Sequence, residues 1–285
     1  MMVGAQSPDG RRWPGIKGIW GHVYIDVTRE LNLEALPEIH EEVCLALAQL
    51  PLDMTGGSHR SMGIMPASRV DEALVDYVEV IRSMGPAEVE TLRSLADDPR
   101  AWEGVDPQSG DFGEERKVPL SRRQLAWLKV RHGVYFPWKG YVELIPNRLW
   151  TDKSSGTGKT FTRTAQAFFP KTIAFVKTLP FVEVGRCNVM GLEAFDYGTV
   201  HRDGDPAEQK DVDHFITIVP GGDKELFLWD ETLQQEVRVN CQAYWFNDFD
   251  YHGVVTSNRF RYSIRVDGRF DPSFLERIER TWRGR

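Results

Sequence analysis

From residue 181 onward the chain breaks into short β-rich runs at close spacing, each closed by a turn signal. Residues 182–195 form the first run and 196–198 a tight region. Residues 214–219 follow, Gly221-Gly222 turns the chain into 225–229, and 236–239, 243–246 and 261–266 complete the set. Strands this short can bury their apolar faces only by stacking two sheets or closing a barrel.

The first half reads differently. Residues 18–27 suit a strand, while 31–50 carry Leu36, Ile39, Val43, Leu47 and Leu50 at helical spacing. Residues 70–83, 86–95 and 121–129 continue the helical pattern. Residues 141–145 suit a strand, 168–178 a helix opened by Pro170, and 272–282 a closing helix. The Gly-, Asp- and Pro-rich stretch 99–117 reads as a loop and a lid candidate. The expected organisation is a flexible lead over 1–15, a mostly helical region over 16–140 bracing the core, a β-rich core over 141–270 and a helix over 271–285. The expected class is α+β.

Composition narrows the partners. With 41% hydrophobic and 27% charged residues, a chain of 285 can bury an ordinary core. A net charge of -7 argues against a general nucleic-acid binder. Cys44, Cys187 and Cys241 make no CxxC pair, so neither a disulfide framework nor a zinc signature is expected. Residues 1–14 lack the apolar stretch of a signal peptide and no run reaches membrane-spanning length. A cytoplasmic protein with no membrane partner is expected; the oligomeric state stays open.

The chemistry sits in two places. In Val200-His201-Arg202-Asp203, an extended backbone puts His201 and Asp203 on the same face. An imidazole and a carboxylate can then share a metal with His252, 51 residues further on. Two histidines and one carboxylate leave coordination positions open, which points to Fe(II) and oxygen chemistry. Arg261, Ser263 and Arg265 share one face of a later strand by the same alternation. An Arg entering a barrel needs an anion, and a dicarboxylate supplies one that the guanidinium grips as a fork.

His-x-Asp, a distal His and then Arg-x-Ser at this spacing resembles the Fe(II)/2-oxoglutarate-dependent oxygenases, whose core is a double-stranded β-helix of the cupin-type jelly-roll kind. His214 in the run 213–219, the segment 245–248 and the run 261–267 are similar in finer pattern to the aspartyl/asparaginyl β-hydroxylase and proline-hydroxylase branch. The resemblance spans residues 181–268, about a third of the chain. It implies iron held by His201, Asp203 and His252. It implies the distal carboxylate of 2-oxoglutarate on Arg261, helped by Ser263, and His214 near the co-substrate or substrate. Arg186, Asn188, Arg202, Arg265 and Asn247 are then candidate substrate contacts. Asp203 argues against halogenation, since halogenases of the family carry a small residue there. The implied activity is hydroxylation of a C–H bond of a small polar substrate, an amino acid or a metabolite derived from one, with O2. A cupin metalloenzyme that needs no 2-oxoglutarate, either an isomerase or a dioxygenase, and a non-catalytic cupin-like binding module are the alternatives.

Residues 155–160 end like a phosphate-binding loop, but the Gly required five residues before Gly158 is replaced by Lys153. Nucleotide binding is not expected. The aromatic cluster Tyr244, Trp245, Phe246, Phe249 and Tyr251 reads as core packing.

Overall fold

The short β runs pair into two antiparallel sheets in the computed structural model, which describes residues 4–50, 66–72, 77–110, 112, 118–134, 140–146, 152–207 and 211–284. Parts of the expected helix 70–83 and of the expected lid 99–117 lie outside these residues. Residues 5–13, inside the stretch 1–15 expected as a flexible lead, form a hairpin. Its strands β1 (Ala5–Gln6) and β2 (Arg12–Trp13) bury Ala5 and Trp13 in the main core. Strand β3 (Tyr24–Asp26) and helix α1 (Leu36–Gln49) follow. Helices α2 (Tyr77–Ser83), α3 (Pro86–Ser94) and α4 (Arg122–His132) lead to β4 (Val142–Ile145). An additional helix, α5 (Arg163–Phe168), breaks off just before α6 (Pro170–Val176), which is the expected helix of 168–178 and opens at Pro170. Pro170 forces the break, because its ring disfavours helical backbone at Phe169, which sits at φ -129°, ψ 42°.

The second half supplies β5 (Phe181–Leu192), β6 (Gly198–His201), β7 (Phe215–Ile218) and β8 (Leu226–Asp230). It continues through β9 (Gln235–Arg238), β10 (Ala243–Phe246), β11 (His252–Val254) and β12 (Arg261–Phe270) to α7 (Pro272–Arg283). One sheet has the order β3-β10-β7-β12-β5-β4 and the other β6-β11-β8-β9. Successive strands of the run β5 to β12 therefore alternate between the sheets, apart from the β8–β9 hairpin.

Both faces of the larger sheet are covered, so β12 is buried along nearly its whole length. Its alternation sorts chemistry. Tyr262 stacks on His40 of α1 on one face, at 5.7 Å. Arg261, Ser263, Arg265 and Asp267 point to the other, where the Arg265 guanidinium lies 3.8 Å from the centre of the Phe215 ring. The helix α7 is capped by Asp271, whose carboxylate accepts from Ser273 and Phe274 N–H, and it packs Phe274, Ile278 and Trp282 inward.

Residues 77–134 bury their apolar side chains in a separate cluster. Tyr77, Ile81, Leu92, Trp102, Phe112 and Leu128 pack against one another rather than into the main core. Trp102 is buried and stacks on Phe112 at 5.1 Å, which anchors part of the stretch read as a lid.

Candidate metal centre

The two sheets face each other across a buried polar row. His201 closes β6 and His252 opens β11, and the two are directly paired across those strands. Their rings lie 4.5 Å apart, centre to centre. Asp203 follows two residues after His201, and its N–H donates to the Asp248 carbonyl at 2.8 Å, which pins this turn to the segment leading into β11. The three side chains each bring one ligand atom to within 4.8 Å of the others.

The histidines are oriented by the same device. The Nδ1 of His201 bonds the Thr199 carbonyl at 2.7 Å, and that of His252 bonds the Asp250 carbonyl at 3.0 Å. A carbonyl can only accept, so each Nδ1 carries the proton and each Nε2 keeps a lone pair. Those Nε2 atoms face Asp203 Oδ1 at 3.5 and 3.7 Å. Burial, and next the neighbouring His201, push His252 down to about 3, so it is neutral at pH 7. Burial works against the charge of Asp203, yet His201, His252, Arg265 and Lys153 hold its carboxyl well below the usual value. Two imidazole nitrogens and an ionised carboxylate are the donor set a divalent cation requires.

Behind the triad runs a buried chain of ion pairs. Arg265 donates to Asp203 Oδ2 at 3.2 Å, to Asp248 Oδ2 at 2.7 Å and to Asp267 Oδ1 at 3.0 Å. Arg186 pairs with Asp267 Oδ2 at 2.9 Å. At the other end Lys153 bridges Asp248 at 3.0 Å and Asp213 at 2.7 Å. Burial pushes Asp248 up to about 6, against the pull of Lys153 and Arg265.

Arg261 and Ser263 lie further along the inner row of β12. The buried Arg261 guanidinium donates to the carbonyls of Glu193 (2.6 Å), Asp196 (2.5 Å) and Val255 (2.8 Å). It thus staples the loop between β5 and β6, where Phe195 is held at φ 66°. Ser263 Oγ accepts from Lys224 at 2.8 Å, and Lys224 also donates to the Met190 carbonyl at 3.0 Å. Burial, and next the charge of Arg261, push the Lys224 ammonium down to about 7. Two cations are thus held near each other at Ser263, a place that an anion's charge would relieve.

The remaining candidates divide. His214 does not join the triad. Its neighbour Phe215 takes the inner face, so His214 faces outward, stacked on Phe270 at 4.6 Å and accepting the Phe270 N–H. Arg186 and Arg265 reach the inner row but are engaged by aspartates rather than presented to a substrate. Asn188 is inner and buried; its Nδ2 donates to Tyr141 at 2.8 Å, while its Oδ1 has no hydrogen-bond partner among the described residues. Asn247 is buried and accepts the Phe249 N–H, turning the chain ahead of β11. Arg202 lies over the Tyr251 ring, 5.1 Å from its centre.

Sequence reasoning missed Lys224, Lys153 and Asp248. The signal for Lys224 is a cation two residues before a fully buried strand.

No protein-family model matches the chain, and no curated protein matches it. Among solved structures, the chain is similar to an oxidoreductase of the 2OG-Fe(II) oxygenase family from Burkholderia pseudomallei, at 11% identity over 46% of this chain and 70% of that one, with a TM-score of 0.30. It is similar to a Pseudomonas putida prolyl-4-hydroxylase at 13% identity over 38% of this chain and 66% of that one, TM-score 0.24. A third is a mutant salicylate 1,2-dioxygenase from Pseudoaminobacter salicylatoxidans in complex with gentisate, at 12% identity over 63% of this chain and 41% of that one, TM-score 0.24. No helix among the described residues is long and apolar enough to cross a membrane.

Proposed function

We propose that this chain is an Fe(II)- and 2-oxoglutarate-dependent oxygenase built on a double-stranded β-helix. The observation that carries the reading is the meeting of His201 Nε2, His252 Nε2 and Asp203 Oδ1 on paired strands inside the β core. The strand order supports the fold reading: β5, β12, β7 and β10 are consecutive neighbours in one sheet and β6, β11, β8 and β9 in the other, the alternation of a jelly roll. Two histidines and a carboxylate with open positions are the donor set of non-haem iron oxygenases.

In this reading His201, Asp203 and His252 hold the iron. Lys224, Ser263 and Arg261 receive the distal carboxylate of 2-oxoglutarate, whose charge offsets their mutual repulsion. Bound together, iron and 2-oxoglutarate would supply O2 activation and oxidation of a substrate C–H bond. The protein's part is to fix the ligands, cancel the co-substrate's charge and exclude water. Phe246, 4.8 Å from the His252 ring, and Phe215 beneath Arg265 supply apolar cover around the polar row.

The substrate is proposed to be a small polar molecule such as an amino acid or a derived metabolite. The buried Asn188 Oδ1 offers an acceptor for a substrate N–H or O–H. Arg186 and Arg265 are committed to aspartates, and Arg202 lies beside Asp205 at 3.9 Å and over the Tyr251 ring, so no arginine is assigned to a substrate carboxylate.

Incubating the purified chain with Fe(II), 2-oxoglutarate and O2 and measuring succinate tests the reading. Succinate release that requires both iron and 2-oxoglutarate is expected, stimulated by the true substrate in a panel of amino acids and short peptides. Metal binding with no succinate under any condition would favour a cupin enzyme that works without 2-oxoglutarate.

A further inference from the structure

Asp203 presents its two oxygens to two different worlds. Oδ1 faces the Nε2 atoms of His201 and His252 at 3.5 and 3.7 Å. Oδ2 accepts from Arg265 Nη1 at 3.2 Å. Arg265 itself cannot drift: its Nε is fixed on Asp267, its Nη2 on Asp248, and its plane lies on Phe215. The anchors are secured in turn, Asp267 by Arg186 and Asp248 by Lys153. Arg265, Asp248, Asp267, Arg186 and Lys153 are all buried.

We infer that Arg265 is a positioning residue that restricts Asp203 to a single ligating oxygen, and so sets how many positions on the bound metal stay open. The inference rests on the reading of His201, Asp203 and His252 as a metal centre. A free carboxylate can grip a cation through both oxygens. Here the second oxygen accepts from one guanidinium nitrogen, Nη1, and that guanidinium is fixed by Asp267 at Nε, by Asp248 at Nη2 and by the Phe215 ring. With Oδ2 withheld, the protein gives the metal one oxygen and two nitrogens. Reaction partners that bind the metal directly then find one more position than a doubly gripping Asp203 would leave.

A lysine at 265 would keep the charge but replace the planar fork with a compact ammonium, unable to hold Asp203, Asp248 and Asp267 at once in this geometry. The metal-free chain of residues 1–285 is titrated with Co(II), whose visible absorption reports coordination number, and circular dichroism checks folding. For Arg265→Lys we expect shifted visible bands and a roughly 10- to 100-fold change in Co(II) affinity, the size typical when a residue behind a metal ligand is altered. Asp248→Asn removes one anchor of Arg265 and should move the bands in the same direction by less. Arg186→Lys loosens Asp267, an anchor of Arg265, only at one remove and touches Asp203 nowhere, so it should move the bands by less than Asp248→Asn.

A folded Arg265→Lys with the unmutated spectrum and affinity overturns the inference. If Arg265→Lys fails to fold, Asp248→Asn decides alone, and an unchanged spectrum there is equally fatal. A shift of equal size in Arg186→Lys would reduce Arg265 to general structural support and also overturn it. If the unmutated chain binds no Co(II), the metal reading itself falls and takes this inference with it. Loss of Co(II) binding in His201→Ala, alongside unaltered behaviour of Arg265→Lys, sinks the positioning role while leaving the metal centre standing.

Discussion

Lys224 Nζ donates to Ser263 Oγ at 2.8 Å, joining the residue ahead of β8 to the inner row of β12. This contact places a second cation beside Arg261, deep in the core and on the same side of the sheet as the candidate metal ligands.

Replacing Lys224 with Met should weaken 2-oxoglutarate binding by roughly 10- to 100-fold, the worth of one hydrogen bond to a charged group. Metal affinity without 2-oxoglutarate should stay near that of the unmutated chain. Calorimetric titration of both ligands checks the split; equal affinity for 2-oxoglutarate in the variant would return the whole task to Arg261.

The same lysine gives the metal-free protein a pH signature. Folding lowers its value from 10.5 to about 7, so the folded state disfavours the charged form. Between these values the unfolded chain holds more protons than the folded one, and stability therefore rises with pH across that window. The cost of the buried charge is fully present below about 7 and is relieved as pH climbs towards 10.5. Urea unfolding across this range should show the slope in the unmutated chain and a shallower one in Lys224→Met.

Gly253 follows His252 within β11, packed closely against β6 and β8. A Cβ there would meet Phe227 Cζ at 2.6 Å and the Gly198 carbonyl at 2.8 Å. The carbonyl is backbone and cannot swing away, so Gly253→Ala must push β11 from β6. A loss of about 1–3 kcal/mol of stability is expected, as for other overpacked sites. Because His201 and His252 are partners across that same pair, Co(II) affinity should fall with it. Retention of full affinity would show that the strands can part without moving the ligands.

Lys153 neutralises the buried Asp248 and the half-buried Asp213 at once. Lys153→Met leaves Asp213 and Asp248 facing each other and should cost about 3–5 kcal/mol, the usual penalty for breaking a buried pair. Asp248 is pushed up to about 6, so acidification lets it take a proton and become neutral. Lys153 pulls that value down, so in the variant the carboxyl rises above it; the deficit should be largest at high pH and shrink as pH falls towards about 6. Paired denaturation curves on either side of that value test this, and a deficit independent of pH would contradict the pairing.

Asp203 also bears on the reaction type. With its carboxylate in place, turnover in excess chloride should yield an oxygenated and never a chlorinated product, read by mass spectrometry.

The histidine–aspartate triad is legible in the sequence because strand alternation is a strict two-residue rule, so His201 and Asp203 must share a face once the backbone is extended. Most strands of the second half are visible as runs of branched and aromatic residues between glycine turns. The alternation rule also exposes the misplacement of His214. Phe215 packs inward beneath Arg265, which sends its neighbour out to Phe270 and Trp245. Lys224 is illegible because a lysine after Gly221-Gly222-Asp223 reads as a solvated turn; only the closing of β8 beside β11 and the approach of β12 bury it. In the sequence Lys153 stands out only as the residue that spoils a phosphate-binding motif. Its partners, Asp213 and Asp248, are 60 and 95 residues away, and no local pattern encodes a contact of that span.

The second apolar cluster carries a thermodynamic consequence. Gln124 bonds the Leu92 carbonyl, Ser121 the Leu95 carbonyl and Arg123 the Ala96 carbonyl, so α4 is fastened to the end of α3 by ties internal to residues 77–134. With its own apolar centre and its own fastenings, this stretch should open as a separate cooperative unit, read by hydrogen exchange. Its backbone amides can exchange with solvent through an opening that leaves the β core shut, at a free energy of its own.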